Sequence, residues 1–235
     1  MFLIVDVGNT RVKSAVYEEG KVTELFVFAQ EEMFQNFEKI LSKYSITHSI
    51  ISSVASFTKL ERDKLREILS PIFLSSTTKL PFINLYRTPD TLGVDRIALA
   101  AAAQSKFKEE NVLVIDAGTC ITYDFISAEG KYLGGAISPG IEMRYKALHH
   151  FTSKLPLLSK TEGYVLLGTD TSSSMHSGVL NGVYNEMNGL IKQYREDYQD
   201  LTVVLTGGDT KFLAKQLKSV IFAQPNFVLE GLYTI

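Results

Sequence analysis

Apolar and polar positions near the start of the chain follow the pattern that β-strands produce. Residues 2–7 (FLIVDV) form an almost continuous apolar run, which is typical of a strand buried on both faces. Residues 8–10 (GNT) are turn formers, and the alternation over residues 12–16 predicts a second strand. Glu19-Gly20 predicts another turn, before a third strand at roughly 21–29. We therefore expect the chain to open with a three-stranded meander.

Helical periodicity follows this meander. Phe34, Phe37, Ile40 and Leu41 share one face of a helix. A later run, DRIALAAAAQSKF, has the alanine content that favours a helix and close packing. The rest of the first half is predicted to contain helices over 31–44, 58–69 and 95–107, a strand over 49–54, and an irregular connection from Pro71 to Pro89.

The opening pattern recurs at residue 112. Residues 112–116 (VLVID) repeat the buried strand that ends in an aspartate, residues 117–119 (AGT) repeat the turn, and strands are predicted over 121–127 and 131–137. Such internal repetition indicates a duplicated α/β unit. We therefore expect two related half-domains, residues 1–109 and 110–235, with a central cleft.

A long helix dominates the prediction for the remaining residues. Its apolar stripe is explained by core packing alone. Gly178 and Gly182 lie four residues apart on it and would let a second helix approach closely, so a dimer interface is a further hypothesis. The elements predicted here are a helix after Gly140, the long helix over 173–196, a strand over 201–205, a helix over 210–218 and a last strand over 227–234.

The composition is that of an ordinary globular protein and excludes several functions. Of the 235 residues, 45% are hydrophobic and 21% are charged, and the formal net charge is −2, which gives no strong field to attract nucleic acid. The single cysteine, Cys120, excludes an intrachain disulfide and a cysteine-rich zinc site. No apolar stretch approaches the roughly 20 residues that cross a bilayer, and the N-terminus does not resemble a signal peptide. We expect a cytoplasmic protein that binds neither nucleic acid nor membrane.

Two carboxylates are predicted to end buried strands at glycine-containing turns. Asp6 can hold Mg²⁺ directly or through water, and Gly8 lets a phosphate approach backbone N–H groups. Asp116 repeats this chemistry, and Thr206-Gly207-Gly208-Asp209 is a third glycine-rich strand end. Taken singly, each is explained as a tight turn, with Asp209 or Thr210 as a helix N-cap. Together they favour a nucleotide whose phosphates are bound by both halves.

Asp95 and Arg96 open the alanine-rich helix. Asp95 is a candidate base for a substrate hydroxyl in phosphoryl transfer, and Arg96 can bind a carboxylate through two parallel hydrogen bonds. Since Asp is also a preferred N-cap, a structural role for Asp95 is the alternative. The segments 134–140 and 168–171 leave the same choice between ligand contact and a turn or cap, and Lys13 either neutralises phosphate charge or is a solvated strand lysine.

Five motifs, in order along the chain, carry a resemblance to a known family. They are D-x-G-N-T at 6–10, G-x-D-R at 93–96, D-A-G-T at 116–119, G-G-x-I-x-P-G at 134–140 and T-G-G at 206–208. With this set the chain closely resembles the type III pantothenate kinases over nearly its whole length. The resemblance implies an actin-like fold of two duplicated ribonuclease-H-like half-domains, a homodimer, and ATP-dependent phosphorylation of pantothenate to 4′-phosphopantothenate, the first step towards coenzyme A.

The resemblance also implies roles for individual residues. Asp95 would be the catalytic proton acceptor, and Thr119 would contact ATP. Asp116 would bind a potassium or ammonium ion, while Asp6 would hold the Mg²⁺ that accompanies ATP. The phosphate loop would consist of Asp6, Val7, Gly8, Asn9, Thr10, Arg11, Val12 and Lys13. Pantothenate would be bound by Tyr86, Gly93, Val94, Asp95 and Arg96, and by Thr171 from the partner subunit.

Two other functions fit part of the pattern. A sugar kinase or an exopolyphosphatase-like hydrolase of the same superfamily would share the paired Asp loops, but would lack G-x-D-R followed about twenty residues later by D-A-G-T. A non-catalytic ligand-sensing protein would be favoured by a basic helix-turn-helix extension or by loss of the loop carboxylates, and these 235 residues show neither feature. Pantothenate kinase is therefore the expected function.

Overall fold

The computed structural model describes residues 1–217 and 221–235, which form two compact units. The first unit comprises residues 1–108, 130–132 and 226–235, and the second comprises residues 109–129 and 133–225. The main boundary between the two units lies between residues 108 and 109. The two short segments that join the first unit were not indicated by the sequence pattern.

The elements follow the predicted order closely, apart from the last predicted strand and three short strands that were not predicted, two of which lie in the connection from Pro71 to Pro89 that was expected to be irregular. The strands are β1 (Phe2–Val7), β2 (Val12–Glu18), β3 (Lys21–Phe28), β4 (His48–Ser53), β5 (Ile72–Phe73), β6 (Ile83–Asn84), β7 (Val112–Ala117), β8 (Cys120–Ile126), β9 (Lys131–Pro139), β10 (Thr202–Thr206) and β11 (Phe222–Ala223). The α-helices are α1 (Met33–Lys43), α2 (Lys59–Leu69), α3 (Val94–Lys106), α4 (Ile141–His150), α5 (Thr171–His176), α6 (Gly182–Asp197), α7 (Thr210–Ala214) and α8 (Phe227–Thr234). The expected long helix is divided into α5 and α6 by a π-helical turn at Ser177–Asn181. Helix α7 is shorter than the expected 210–218, and residue 218 lies outside the described residues.

A mixed sheet forms the centre of the first unit, in the order β3-β2-β1-β4-β5. Strand β2 is antiparallel to β1 and β3, whereas β4 is parallel to β1 and β5. On one face, side chains such as Leu3, Val5 and Ile51 form a core with Phe37 of α1 and Leu65 of α2. Helices α3 and α8 pack against each other, and α8 also contacts β1, β2 and β4. The sheet is therefore covered by helices, as its apolar strands require.

The prediction of a last strand over residues 227–234 is wrong, because these residues form α8. A short apolar run has the same periodicity whether it is a buried strand or a buried helix. Here packing decides in favour of the helix. Gly231 lies so close to α3 that a Cβ atom at this position would be 1.8 Å from the carbonyl oxygen of Ala98.

The second unit repeats the strand order of the first. Its strands are arranged β11-β10-β7-β8-β9, with β8 antiparallel to β7, and β10 parallel to both β7 and β11. Strands β1 and β7 therefore occupy equivalent positions, and each has its antiparallel partner on one side and its parallel partner on the other. The core of this unit packs α4, α5 and α6 against the sheet, with Ile115, Phe125, Tyr145, Met187 and Ile191 among its buried side chains. In the part of the chain that the structure describes, no helix has the length and apolar character that spanning a membrane requires.

Candidate functional site

Asp6 lies near the end of β1 and is flanked by groups from both neighbouring strands. In the sheet register it is opposite Lys13 of β2 and Ser52 of β4. Burial and the nearby carboxylate of Asp95 raise the pKa of Asp6 to about 6, and the Lys13 ammonium and the Ser52 hydroxyl offset part of this rise. Asp6 and Asp95 repel each other in a partly buried environment, and a bound cation would reduce this repulsion. The residues present therefore fit a magnesium ion at Asp6.

The turn that follows Asp6 is tied down by backbone contacts. The N–H of Gly8 donates to the carbonyl of Arg11 (3.1 Å), and the side-chain amide of Gln30 donates to the carbonyl of Gly8 (2.6 Å). Residues 9–11 are exposed, whereas the side chains of Val7 and Val12 are buried in the core. Of the expected phosphate loop, these two valines can therefore meet a ligand only through their backbone.

Asp95 stands in the first turn of α3, and the structure excludes the alternative that it is the N-cap. Gly93 holds the N-cap position, and Asp95 Oδ1 accepts a hydrogen bond from the N–H of Arg96 (2.9 Å). A Cβ atom on residue 93 would lie 2.4 Å from Asp95 Oδ1, so the absence of a side chain at Gly93 makes room for this carboxylate. The G-x-D-R motif thus places the Asp95 side chain at the start of the helix, close enough to Asp6 to influence its pKa.

Tyr86 and Arg96 lie together in the first unit. Arg96 is 5% exposed, and its guanidinium carbon is 5.7 Å from the centre of the Tyr86 ring, in the geometry of a cation–π contact. Tyr86 also packs near Tyr132, with 6.1 Å between the ring centres. The sequence pattern around residue 86 was uninformative, but the fold brings this tyrosine to the motif that contains Asp95.

Asp116 lies at the equivalent position of the second unit. It is opposite Thr122 of β8 and Thr206 of β10, where Asp6 has Lys13 and Ser52. Gly207 has a φ of +94°, and a Cβ atom there would be 2.3 Å from Asp116 Oδ1, so both the conformation and the space require glycine. The oxygen-rich neighbours of Asp116 fit a hard cation of low charge.

Three strand ends of the second unit meet at the turn that follows Asp116. The N–H of Asp209 donates to the carbonyl of Ala117 (2.9 Å), and the N–H of Gly140 donates to the carbonyl of Thr119 (3.1 Å). Asp209 takes the N-cap position of α7, but its side chain makes no cap hydrogen bond and pairs instead with Lys160. The segments 116–119, 138–140 and 206–209 are therefore one loop cluster, which the motifs alone did not show.

Thr171 is the first residue of α5, beside a groove of about 970 Å³ in the second unit. Asp170 caps the helix, with its Oδ1 accepting from the N–H of Ser173 (2.9 Å), so the capping interpretation of this segment is confirmed. Gly178 also lines the groove. The lining is largely apolar and includes Leu148, Phe151, Leu155, Met175 and Val179.

Several residues of the site carry no motif and were missed. Ser52 precedes the end of β4, and the parallel pairing of β4 with β1 is the signal that could have identified it. Lys160 and the pair of Arg144 and Glu186 belong to segments distant in sequence, for which no sequence signal exists. Among residues 1–217 and 221–235 there is no cluster of three or more His, Cys, Asp or Glu side chains suited to hold a metal, so a magnesium ion at Asp6 would need oxygen ligands from the nucleotide as well.

The sequence matches one family over most of its length. The profile of the family described as Type III pantothenate kinase matches residues 2–193. A protein named Type III pantothenate kinase from Flavobacterium johnsoniae is 47% identical over 233 residues, which cover 99% of this chain and 96% of the relative.

Solved structures share the fold at low sequence identity. The activator of the 2-hydroxyisocaproyl-CoA dehydratase from Clostridium difficile, with bound ADPNP, superposes with a TM-score of 0.58 at 13% identity, covering 99% of this chain and 93% of the other. The inorganic polyphosphate/ATP-glucomannokinase from Arthrobacter sp. strain KM gives a TM-score of 0.51 at 15% identity, covering 98% and 96%. With the repeated strand order of the two units, these likenesses confirm the expected α/β fold class.

Proposed function

The chain belongs to the type III pantothenate kinase family, and we propose that it phosphorylates pantothenate with ATP, using Asp95 as the proton acceptor. The structural observation that supports this assignment of roles is that the Asp95 carboxylate lies near Asp6, where burial and, second to it, the charge of Asp95 raise the pKa of Asp6 to about 6. Asp6 is the first residue of the loop proposed to bind phosphate, and Asp95 lies in the first turn of the helix proposed to bind the acceptor. Phosphoryl transfer needs a cation site and a proton acceptor in this close relation.

The loop from Asp6 to Lys13 binds the phosphates of ATP in this proposal. The exposed residues 9–11 offer hydrogen-bond donors, and Lys13 adds positive charge. Val7 and Val12 contribute backbone groups only, since their side chains are in the core. Magnesium, when bound, neutralises charge on the phosphate oxygens. Asp6 would hold that ion directly or through water, and the positive charge of the ion would then balance the negative charge of the Asp6 carboxylate.

The segment from Gly93 to Arg96 binds pantothenate, with Tyr86 beside it. Pantothenate carries a carboxylate, and the buried guanidinium of Arg96 is suited to bind it. Asp95 Oδ1 is already engaged by the N–H of Arg96, so Oδ2 accepts the proton of the substrate hydroxyl. As that hydroxyl oxygen bonds to the γ-phosphorus, the bond from this phosphorus to the oxygen of the leaving ADP breaks. Negative charge is thus lost at Asp95, which has taken up a proton, and gained by the leaving ADP.

The proposal also gives roles to two residues of the second unit. Thr119 lies in the loop cluster of residues 116–119, 138–140 and 206–209, and its hydroxyl is proposed to contact ATP. Asp116 binds potassium or ammonium in this proposal. Its neighbours in the sheet register, Thr122 and Thr206, carry hydroxyl oxygens, and oxygen is the ligand atom that a hard cation prefers.

We further propose a cytoplasmic homodimer that forms at the apolar groove beside Thr171. The groove includes Gly178, around which a Cβ atom would meet nothing within 4 Å, and Phe151, which is 81% exposed. An apolar surface of this kind is stabilised by a partner. A second copy would place Thr171 close to the pantothenate site of its neighbour. A single species of 26.2 kDa at micromolar concentration would contradict the dimer.

Release of ADP, measured with pantothenate beside glycerol and simple sugars, tests the substrate. Asp95→Asn tests the mechanism. This variant should bind ATP with unchanged affinity while turnover falls by about 10² or more, the usual scale for a positioned base. Asp90→Asn, which alters an exposed aspartate just before the motif, is the matched control. Unchanged turnover in Asp95→Asn would leave Asp95 without a catalytic role.

A further inference from the structure

Arg144 lines the groove beside Thr171, but the charged pair that it forms with Glu186 has no role in the proposal above. Arg144 is on α4 and Glu186 is on α6, and their side chains are 20% and 27% exposed. We propose that Arg144 and Glu186 are positioning residues that hold residues 138–140 against Gly118 and Thr119, and so set the affinity for ATP. This inference rests on the proposed function, since it acts through the ATP contact of Thr119.

The guanidinium of Arg144 makes three contacts, two of them to the loop. Its Nε donates to the carbonyl of Pro139 (2.9 Å), and one Nη donates to the hydroxyl of Ser138 (2.9 Å). The same Nη donates to Glu186 Oε2 (2.6 Å). The planar fork of arginine makes these contacts at once, which a single ammonium group cannot reproduce. Arg144 therefore ties the end of β9 to α6.

Glu186 is itself held in place from the sheet. Its Oε1 accepts a hydrogen bond from the hydroxyl of Tyr123 (3.1 Å), on β8. Burial raises the pKa of Glu186, but the contacts with Arg144, Ser138 and Tyr123 outweigh it and leave the pKa below its usual value. Glu186 is consequently ionised at neutral pH and remains an anchor for Arg144.

The loop that Arg144 holds has no freedom to move without disturbing Thr119. The N–H of Gly140 donates to the carbonyl of Thr119 (3.1 Å), and a Cβ atom at residue 140 would lie 2.2 Å from the carbonyl oxygen of Gly118. Because the backbone of Gly140 is packed this closely against Gly118 and Thr119, a movement of one segment must move the other. A shift of Ser138 and Pro139 is thus passed to the residue proposed to contact ATP.

The start of α4 does not require the guanidinium. The backbone N–H of Arg144 donates to the carbonyl of Gly140 (3.0 Å), and this bond is independent of the side chain. Arg144→Met keeps the aliphatic stem and the helix, and removes only the three polar contacts. The position therefore allows a variant that separates positioning from folding.

Steady-state kinetics with varied ATP and varied pantothenate, together with direct titration of ATP, test the inference. Arg144→Met and Glu186→Gln should each raise KM and Kd for ATP by about tenfold, the scale expected when a contact is misplaced by a fraction of an ångström. KM for pantothenate and the melting temperature should change little. Arg144→Lys should recover only part of the affinity. The double variant should be no worse than the poorer single variant, because both changes open the same contact.

Lys192→Met is the matched control, since Lys192 forms an exposed pair with Glu196 on the same helix α6, at 79% and 62% exposure. Unchanged ATP constants in Arg144→Met or Glu186→Gln overturn the inference, as does an effect confined to KM for pantothenate. If Arg144→Met does not fold, Glu186→Gln and Tyr123→Phe apply the same criterion from the other side of the pair. Failure of the proposed function is recognised separately, because the unaltered protein would then release no ADP with pantothenate.

Discussion

Removal of the Asp6 carboxylate should make the protein more stable relative to the unaltered protein as the pH rises from 5 to 8, and should abolish its activity. The pKa of Asp6 is about 6 in the folded chain, against an ordinary value of 3.8. Because the folded state binds this proton more tightly than the unfolded state, protonated Asp6 favours folding. This contribution is fully present below pH 3.8 and is lost as the pH rises through 6.

The magnitude follows from the two pKa values. Their difference corresponds to about 3 kcal/mol of unfolding free energy at low pH. Integration of the proton linkage leaves about 1 kcal/mol of this at pH 5 and almost none at pH 8. Asp6→Asn has no such titration. Its free energy of unfolding, relative to the unaltered protein, should therefore increase by about 1 kcal/mol from pH 5 to pH 8.

The assay is urea unfolding followed by far-ultraviolet circular dichroism, at both pH values and with a chelator present. Asp63→Asn removes an aspartate whose side chain is 53% exposed, and corrects for the loss of a formal charge. Asp6→Asn should also lose magnesium-dependent binding of ATP. A difference in stability between Asp6→Asn and the unaltered protein that does not vary from pH 5 to pH 8, or that varies in the opposite direction, would refute the reasoning.

Two further predictions concern the packing of α8 and the cation site. Gly231→Ala would place a Cβ atom 1.8 Å from the carbonyl oxygen of Ala98, so it should destabilise the protein by about 2 kcal/mol or more and lower the melting temperature; an unchanged melting temperature would contradict the close contact of α3 and α8. Activity should require potassium or ammonium and fall in sodium-only buffer, and Asp116→Asn should remove this dependence. Equal rates of the unaltered protein in all three salts would exclude Asp116 from such a site.

Local pattern was sufficient to determine most elements and the position of the carboxylates. The runs FLIVDV and VLVID each specify a buried strand that ends in an aspartate, because β-branched residues and alternation are properties of neighbouring positions. The repetition of this unit predicted the duplicated fold, and five strands of the six-stranded sheet repeat the order of the five-stranded sheet. The turns at Gly20 and Gly130 also follow from sequence, since both glycines have positive φ.

Features that depend on contacts between distant segments could be known only from the tertiary structure. Residues 227–234 are a helix because Gly231 fits against α3, although the same apolar run is compatible with a strand. Burial, which no local pattern records, and the carboxylate of Asp95, far away in sequence, raise the pKa of Asp6. The link from Arg144 to Glu186 likewise joins positions 42 residues apart. Periodicity is a property of a short stretch of chain, whereas packing and charge interactions arise only when separate stretches have been brought together.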